Sequence, residues 1–252
     1  MTSTERIRHG VTWAVGGFGL AAVAYAAYVG TTWYRYGRIS PAAGDETDPL
    51  LDHFMPQYDV AERHHVRVMA APEITLSAAA DTDLRRSAVI RAIFRTRELV
   101  LGAEPDVVTR PKGLLAQMTS LGWGVLAEKP GREIVVGAIT QPWMANVVFR
   151  ALPPDEFRAF AEPGYVKIVW TLRADPAGPD ESMFRTETRV ATTDSTARRR
   201  FRWYWARFSP GIVLIRRVML GTLKQEAERR AGLAGPDLSM KHPGLAVTDQ
   251  RS

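Results

Sequence analysis

Between Gly10 and Tyr34 the chain carries no charged residue, reading GVTWAVGGFGLAAVAYAAYVGTTWY. No other feature limits the possible folds as strongly. About 20 helical residues at ~1.5 Å each cross a hydrocarbon layer ~30 Å thick. Trp13 and Trp33 stand near the two ends, Tyr34 and Tyr36 join Trp33, and Arg6, Arg8, Arg35 and Arg38 flank the run. Aromatic residues backed by arginines mark membrane interfaces. The run therefore predicts one transmembrane helix within residues 1–36, a single-pass anchor at the cell membrane. Two arginines on each side leave the side of the soluble part undetermined.

Three rival readings are weaker. A cleaved signal peptide has small-residue sites near Ala22–Ala24 or Ala24–Ala26, but the apolar run continues past them into aromatics and arginines. Gly17, Gly19 and Ala22 match a loose G-x-G-x-x-A pattern, yet no strand precedes them and no polar turn offers a phosphate site. A buried soluble helix of this length would normally carry a charged face. Gly17 and Ala21 have the small-xxx-small spacing of helix–helix contacts, or are simply cheap residues of a weakly hydrophobic anchor.

Residues 37–59 combine Pro41, Pro49 and Pro56 with Asp45, Glu46, Asp48 and Asp52, the mark of an extended linker. Leu50-Leu51 and Phe54-Met55 are its points of possible docking. Residues 232–252 have Gly235-Pro236 and His242-Pro243 without apolar periodicity and read as a loose tail. The folded domain is thus 60–231. With 46% hydrophobic and 24% charged residues, the chain is neither wholly disordered nor a polytopic transporter. The absence of cysteine excludes disulfides, thiol catalysis and cysteine-ligated metals.

Inside the domain, several segments alternate with period two, as half-buried strands do. They are His64–Ala70, Gly122–Glu128 with Glu133–Thr140 across a Pro130-Gly131 turn, Tyr165–Arg173, and Met183–Thr192. In the last, Phe184, Thr186, Thr188 and Val190 oppose Arg185, Glu187 and Arg189, which predicts an antiparallel sheet with one wet face. Helices are predicted over Pro72–Ala80 and Leu84–Leu99, the second with Val89, Ile90, Ile93 and Phe94 as its core stripe. Phe201, Trp205, Phe208, Ile212, Ile215, Met219 and Leu223 then step by three and four, a long helical stripe. Pro210 predicts a kink there, or a second helix capped by Ser209.

Tyr58–Glu73, with its Ala-Pro-Glu step, resembles the first strand and first helix of the START-like superfamily, which includes polyketide cyclases and lipid-transfer domains. Gly122–Val136 resembles the middle hairpin of that superfamily. Thr186–Val190 followed by Arg198–Trp205 resembles its last strand entering the long helix. The resemblance covers about 60–231 and implies an α+β helix-grip fold: an antiparallel sheet wrapped around a long C-terminal helix, here preceded by one transmembrane helix. It also implies an apolar ligand, a lipid or similar molecule, between sheet and helix. On that frame the lining is Val66, Val68, Trp123, Val125, Ile168, Trp170, Thr186 and Thr188 from the sheet, with Trp205, Phe208 and Ile212 from the helix. Trp143 stands at the mouth. The same apolar residues can instead fill a core. The two threonines are the better pocket candidates, because an inward hydroxyl needs a partner.

No nucleophile, phosphate-loop or metalloprotease motif occurs, and no cofactor or metal is expected. His64 and His65 face opposite ways on a strand and cannot share a metal. Glu187 and Arg189 read as a surface pair worth ~0–1 kcal/mol. From Ser195 to Arg230, ten Lys and Arg stand against Glu226 and Glu228. Trp203 points away from the core stripe with Arg199, Arg207 and Arg217 beside it. That face fits anionic headgroups, or is a plain solvated face; no nucleic-acid motif accompanies it. The membrane-interface set is therefore Trp13, Trp33, Tyr34, Arg199, Trp203, Arg207 and Arg217. Three functions fit: a membrane-tethered binder or carrier of an apolar ligand, a non-catalytic accessory subunit of a membrane protein complex, and a cyclase- or aromatase-like enzyme. The first is preferred, since no catalytic constellation is visible.

Overall fold

The computed structural model describes residues 22–83, 87–103 and 111–234. Trp13, the first half of the charge-free run, residues 84–86 of the second predicted helix and the tail after 234 lie outside them. Helix α1 is described over 22–35. A 3-10 turn at Gly44–Glu46 and helix α2 (Pro49–Phe54) follow, then β1 (Val60–Val68), α3 (Pro72–Asp81), α4 (Ala88–Leu101) and α5 (Leu114–Ser120). The rest is β2 (Gly124–Lys129), β3 (Glu133–Thr140), β4 (Phe149–Arg150), α6 (Pro154–Ala159), β5 (Val166–Gly178), β6 (Glu181–Thr192) and α7 (Ser195–Ala234).

The antiparallel sheet runs β1-β6-β5-β3-β2, with β4 paired to β3. Alternation sets which side chains meet α7. Opposite partners Val66–Phe184, His64–Thr186, Glu62–Thr188 and Val60–Val190 turn to one face. Ile168, Trp170 and Leu172 continue that face on β5, opposite Ala138, Val136 and Ile134 on β3. α7 crosses it with Phe201, Trp205, Met219 and Leu223 buried. An antiparallel sheet gripping one long C-terminal helix is the α+β helix-grip arrangement that the resemblance implied.

Asp194 starts α7: one of its carboxylate oxygens accepts from Thr196 N at 2.6 Å and Ala197 N at 2.9 Å, the other from Gly164 N. The helix continues through Pro210 without a second start. Ser209 caps nothing; it is buried and its hydroxyl meets Tyr28 OH at 3.2 Å. Two residues on, Gly211 lets α4 approach, since a Cβ there would lie 2.9 Å from Ile93. Of the predicted α4 stripe only Ile90 is buried, while Val89 and Phe94 are exposed, because α4 touches α7 along a narrow seam.

The second face of the sheet is not wet. α2 and α6 cover it with Leu51, Phe54, Met55 and Phe157, packed on Val135, Ile139 and Val169. Burying each large apolar side chain contributes about 1.5–3 kcal/mol, so residues 49–55 are held down rather than tethering freely. The acidic residues of the segment also meet arginines of the sheet. Arg185 binds Asp45 at 2.8 Å, and Arg189 binds Asp52 at 2.5 Å and the Met55 carbonyl at 3.0 Å. Arg189 and Glu187 are therefore a buried pair, 2.7 Å apart, and not a surface one.

α1 lies antiparallel along the start of α7. Tyr25 OH donates to the Arg207 carbonyl at 2.9 Å, and Arg202 donates to the Trp33 carbonyl at 2.7 and 3.0 Å. Among the described residues no helix is long and apolar enough to cross a membrane.

Candidate functional site

The interior of the grip has two apolar clusters. One holds Val68, Trp123, Trp170, Phe184, Met219 and Leu223, with Val66 packed against it. The other holds Val60, Val190, Phe201 and Trp205, with Trp143 and Ile212 packed against it. Ile168 touches both. The strands pass from one cluster to the other through polar residues: Glu62 and His64 on β1, Thr186 and Thr188 on β6. α7 supplies Arg216 at the same level.

The half-buried Arg216 guanidinium lies over the Trp170 ring at 4.0 Å and donates to Thr188 Oγ1 at 2.8 Å. Among the described residues it has no other protein acceptor within hydrogen-bond reach. The Trp170 indole N–H donates to Thr186 Oγ1 at 2.5 Å. The inward threonine hydroxyls thus find their partners in Arg216 and Trp170. Glu62 Oε2 stands 3.8 Å from His64 Nε2, a buried nitrogen without a hydrogen bond.

Electrostatics follow from this packing. Burial, then the charges of Arg216 and Arg217, lowers the His64 pKa, so its imidazole is neutral at pH 7. Burial raises the Glu62 pKa against the opposing pull of the same arginines. Burial also lowers the Arg216 pKa, partly offset by Glu62, and the guanidinium stays cationic at neutral pH. Hydrogen-bond donors, a neutral imidazole and a carboxylate therefore meet at one level of an otherwise apolar interior.

A cleft of about 310 Å3 opens at the flank of α7, between the ends of α3 and α4. Ile90, Val218 and the core residue Met219 line it with Thr82, Asp83, Ser87 and Thr222.

The predicted lining is largely brought together, but as two packed groups around a polar level. Trp123 packs on Phe149 at 5.3 Å and Phe208 on Tyr204 at 5.0 Å. Val125 is opposite Val136 yet exposed, because β2 is the sheet edge. Trp143 has a buried indole nitrogen without a hydrogen bond. Of the interface set, Arg199, Arg207 and Arg217 are exposed. Trp203, half-exposed, meets Trp33 at 4.2 Å, so it packs on the N-terminal helix in addition to facing outward.

Arg216, Glu62 and His64 were not in the predicted set. Arg216 stands four residues after Ile212 and three before Met219, so the spacing that marked the core stripe also admitted it. Its charge assigned it to the basic face instead.

No family model matches the chain, and no curated protein does. Three solved structures are similar in outline. The Zhui aromatase/cyclase of Streptomyces sp. R1128 is 16% identical with a TM-score of 0.26, covering 70% of this chain and 98% of its own. TTHA0849 of Thermus thermophilus is 10% identical with a TM-score of 0.25, over 70% and 99%. Norcoclaurine synthase of Thalictrum flavum is 10% identical with a TM-score of 0.21, over 81% and 97%. The helix-grip assignment rests on the sheet order and the placement of α7.

Proposed function

We propose that this protein is a membrane-attached helix-grip domain that binds or carries an apolar molecule, a lipid or similar, admitted at the flank of α7. The observation that carries the reading is the cleft between α3, α4 and α7. At about 310 Å3 it falls within the range of small-molecule sites, and its apolar wall ends on the core residue Met219. The charge-free N-terminal run is the attachment, keeping the domain where apolar molecules partition.

The test is mass spectrometry of an organic extract of the full-length protein. The full chain is needed because removing α1 would strip Trp33 from Trp203. A stoichiometric apolar species that disappears in Val218→Trp, which narrows the cleft, supports the reading. An empty and stable protein sinks it and favours the accessory-subunit role, for which the well-filled apolar clusters speak. A cyclase-like enzyme is favoured by one observation, the Glu62–His64 approach at 3.8 Å. Turnover that is lost in both Glu62→Gln and His64→Asn is the outcome that reading requires.

A further inference from the structure

We propose that the protein lies on an anionic phospholipid surface through α1, α4 and α7, with these helices in the plane of the interface and none of the described helices crossing the bilayer. The proposal keeps the membrane attachment of the functional reading and replaces the single-pass geometry; an empty ligand site would leave it standing.

Length makes the first argument. Residues 22–35 are used in packing on α7, through Tyr25, Tyr28 and Trp33. Only residues 10–21 of the charge-free run precede the described helix. Wholly helical, they would reach about 18 Å, against a core of ~30 Å. Sinking the packed part of α1 as well would carry the adjoining turns of α7 with it. Those turns hold Arg198, Arg199, Arg200, Arg202 and Arg207, and each arginine in mid-membrane costs about 2.5–3.5 kcal/mol even on the lenient insertion scale. An in-plane arrangement avoids that cost, because arginines remain at headgroup depth with their stems on the apolar side.

Where the apolar surface lies makes the second. Of 14 large hydrophobic residues exposed among the described residues, 10 lie on α1, α4 and α7. Leu99 is 83% exposed, Val100 65% and Val89 46%. At ~100° per residue these three share one side of α4 with Ala92 and Thr96, and no charged residue falls among them. The described part of the fold makes no use of that side, since Ile90 is the buried residue of α4.

Charge names the partner. Arg95, Arg199, Arg207 and Arg217 are exposed on the same three-helix layer. On the opposite side of the sheet, Arg173, Arg185 and Arg189 are instead closed by Asp175, Asp45 and Asp52. A layer that combines uncovered apolar side chains with arginines free of such closure complements phosphatidylglycerol-like headgroups over acyl chains.

The chain has no cysteine, so single-cysteine variants of the full-length protein report without background. Leu99→Cys, Leu214→Cys and, on the β5–β6 turn, Asp180→Cys are labelled with an environment-sensitive fluorophore in vesicles of phosphatidylcholine and phosphatidylglycerol. The expected result is loss of emission to doxyl-labelled lipid at positions 99 and 214 but not at 180. An impermeant maleimide should modify Thr12→Cys and Asp180→Cys to the same extent in intact vesicles. Unquenched labels at 99 and 214, or complementary labelling of positions 12 and 180, which a spanning helix produces, would overturn the proposal.

Discussion

The Arg216 guanidinium rests 4.0 Å from the centroid of the Trp170 ring, inside a sheet face that is otherwise mostly apolar. A half-buried cation with one neutral acceptor is expensive to keep for stability alone. Replacing it by an apolar side chain of similar length is therefore expected to cost the fold little. Arg216→Met should unfold in urea within about 1 kcal/mol of the parent or above it, while losing any apolar molecule that co-purifies with the parent. A large loss of stability with the ligand retained would assign Arg216 to the fold.

Asp48 caps α2 through Leu51 N at 2.8 Å, while its second oxygen is buried without a donor. Burial, together with the nearby Glu133 carboxylate, pushes its pKa up from 3.8 to about 6. The folded protein thus holds a proton that the unfolded chain releases between about pH 4 and 6, so stability falls as pH rises through that window. At ~1.4 kcal/mol per pH unit the loss is of order 2–3 kcal/mol. Asp48→Asn keeps the cap and should be more stable at pH 7 by about that amount, with a flatter stability profile from pH 4 to 6. Denaturant midpoints across that range measure both.

Arg189 joins Glu187, Asp52 and the Met55 carbonyl under α2. Removing one member leaves the others desolvated, so Arg189→Ala should cost about 3–5 kcal/mol. The double change Arg189→Met with Glu187→Gln should recover most of it. Equal losses in the single and double variants would show that the pair does not carry the energy.

Trp33 meets Trp203 at 4.2 Å and lies under Arg202 at 4.1 Å. These contacts hold α1 locally. Trp33→Ala should therefore release α1 by sub-global opening, changing the global midpoint by less than about 1 kcal/mol. Earlier proteolytic cleavage between residues 36 and 48 and a red shift of Trp203 emission are the expected readouts.

Periodicity was enough to find β1, β3, β5, β6 and α7, because alternation and the three-four stripe are local consequences of which side chain each turn or pleat buries. It placed Thr186 and Thr188 inward and Trp205 and Met219 on the sheet for the same reason. α5 and α6 leave no such mark, as seven and six residues give too few turns for a stripe to register. The sequence marks Leu50-Leu51 and Phe54-Met55 as docking points but not the sheet face they cover, since Leu51 and Phe54 gain their burial from Val135 and Val169, far away in the chain.

The order of residues alone sets the faces: a charge-free N-terminal run, strands with an apolar side, and a long helix with a core stripe and arginines. Which partner each face meets is a result of folding. Glu187 and Arg189 became a buried pair because residues 49–55 fold back over them, and Arg216 became an interior group because Trp170 and Thr188 lie opposite it. Charge and period are properties of a segment, whereas burial and pairing are properties of two segments that the chain brings together only by folding.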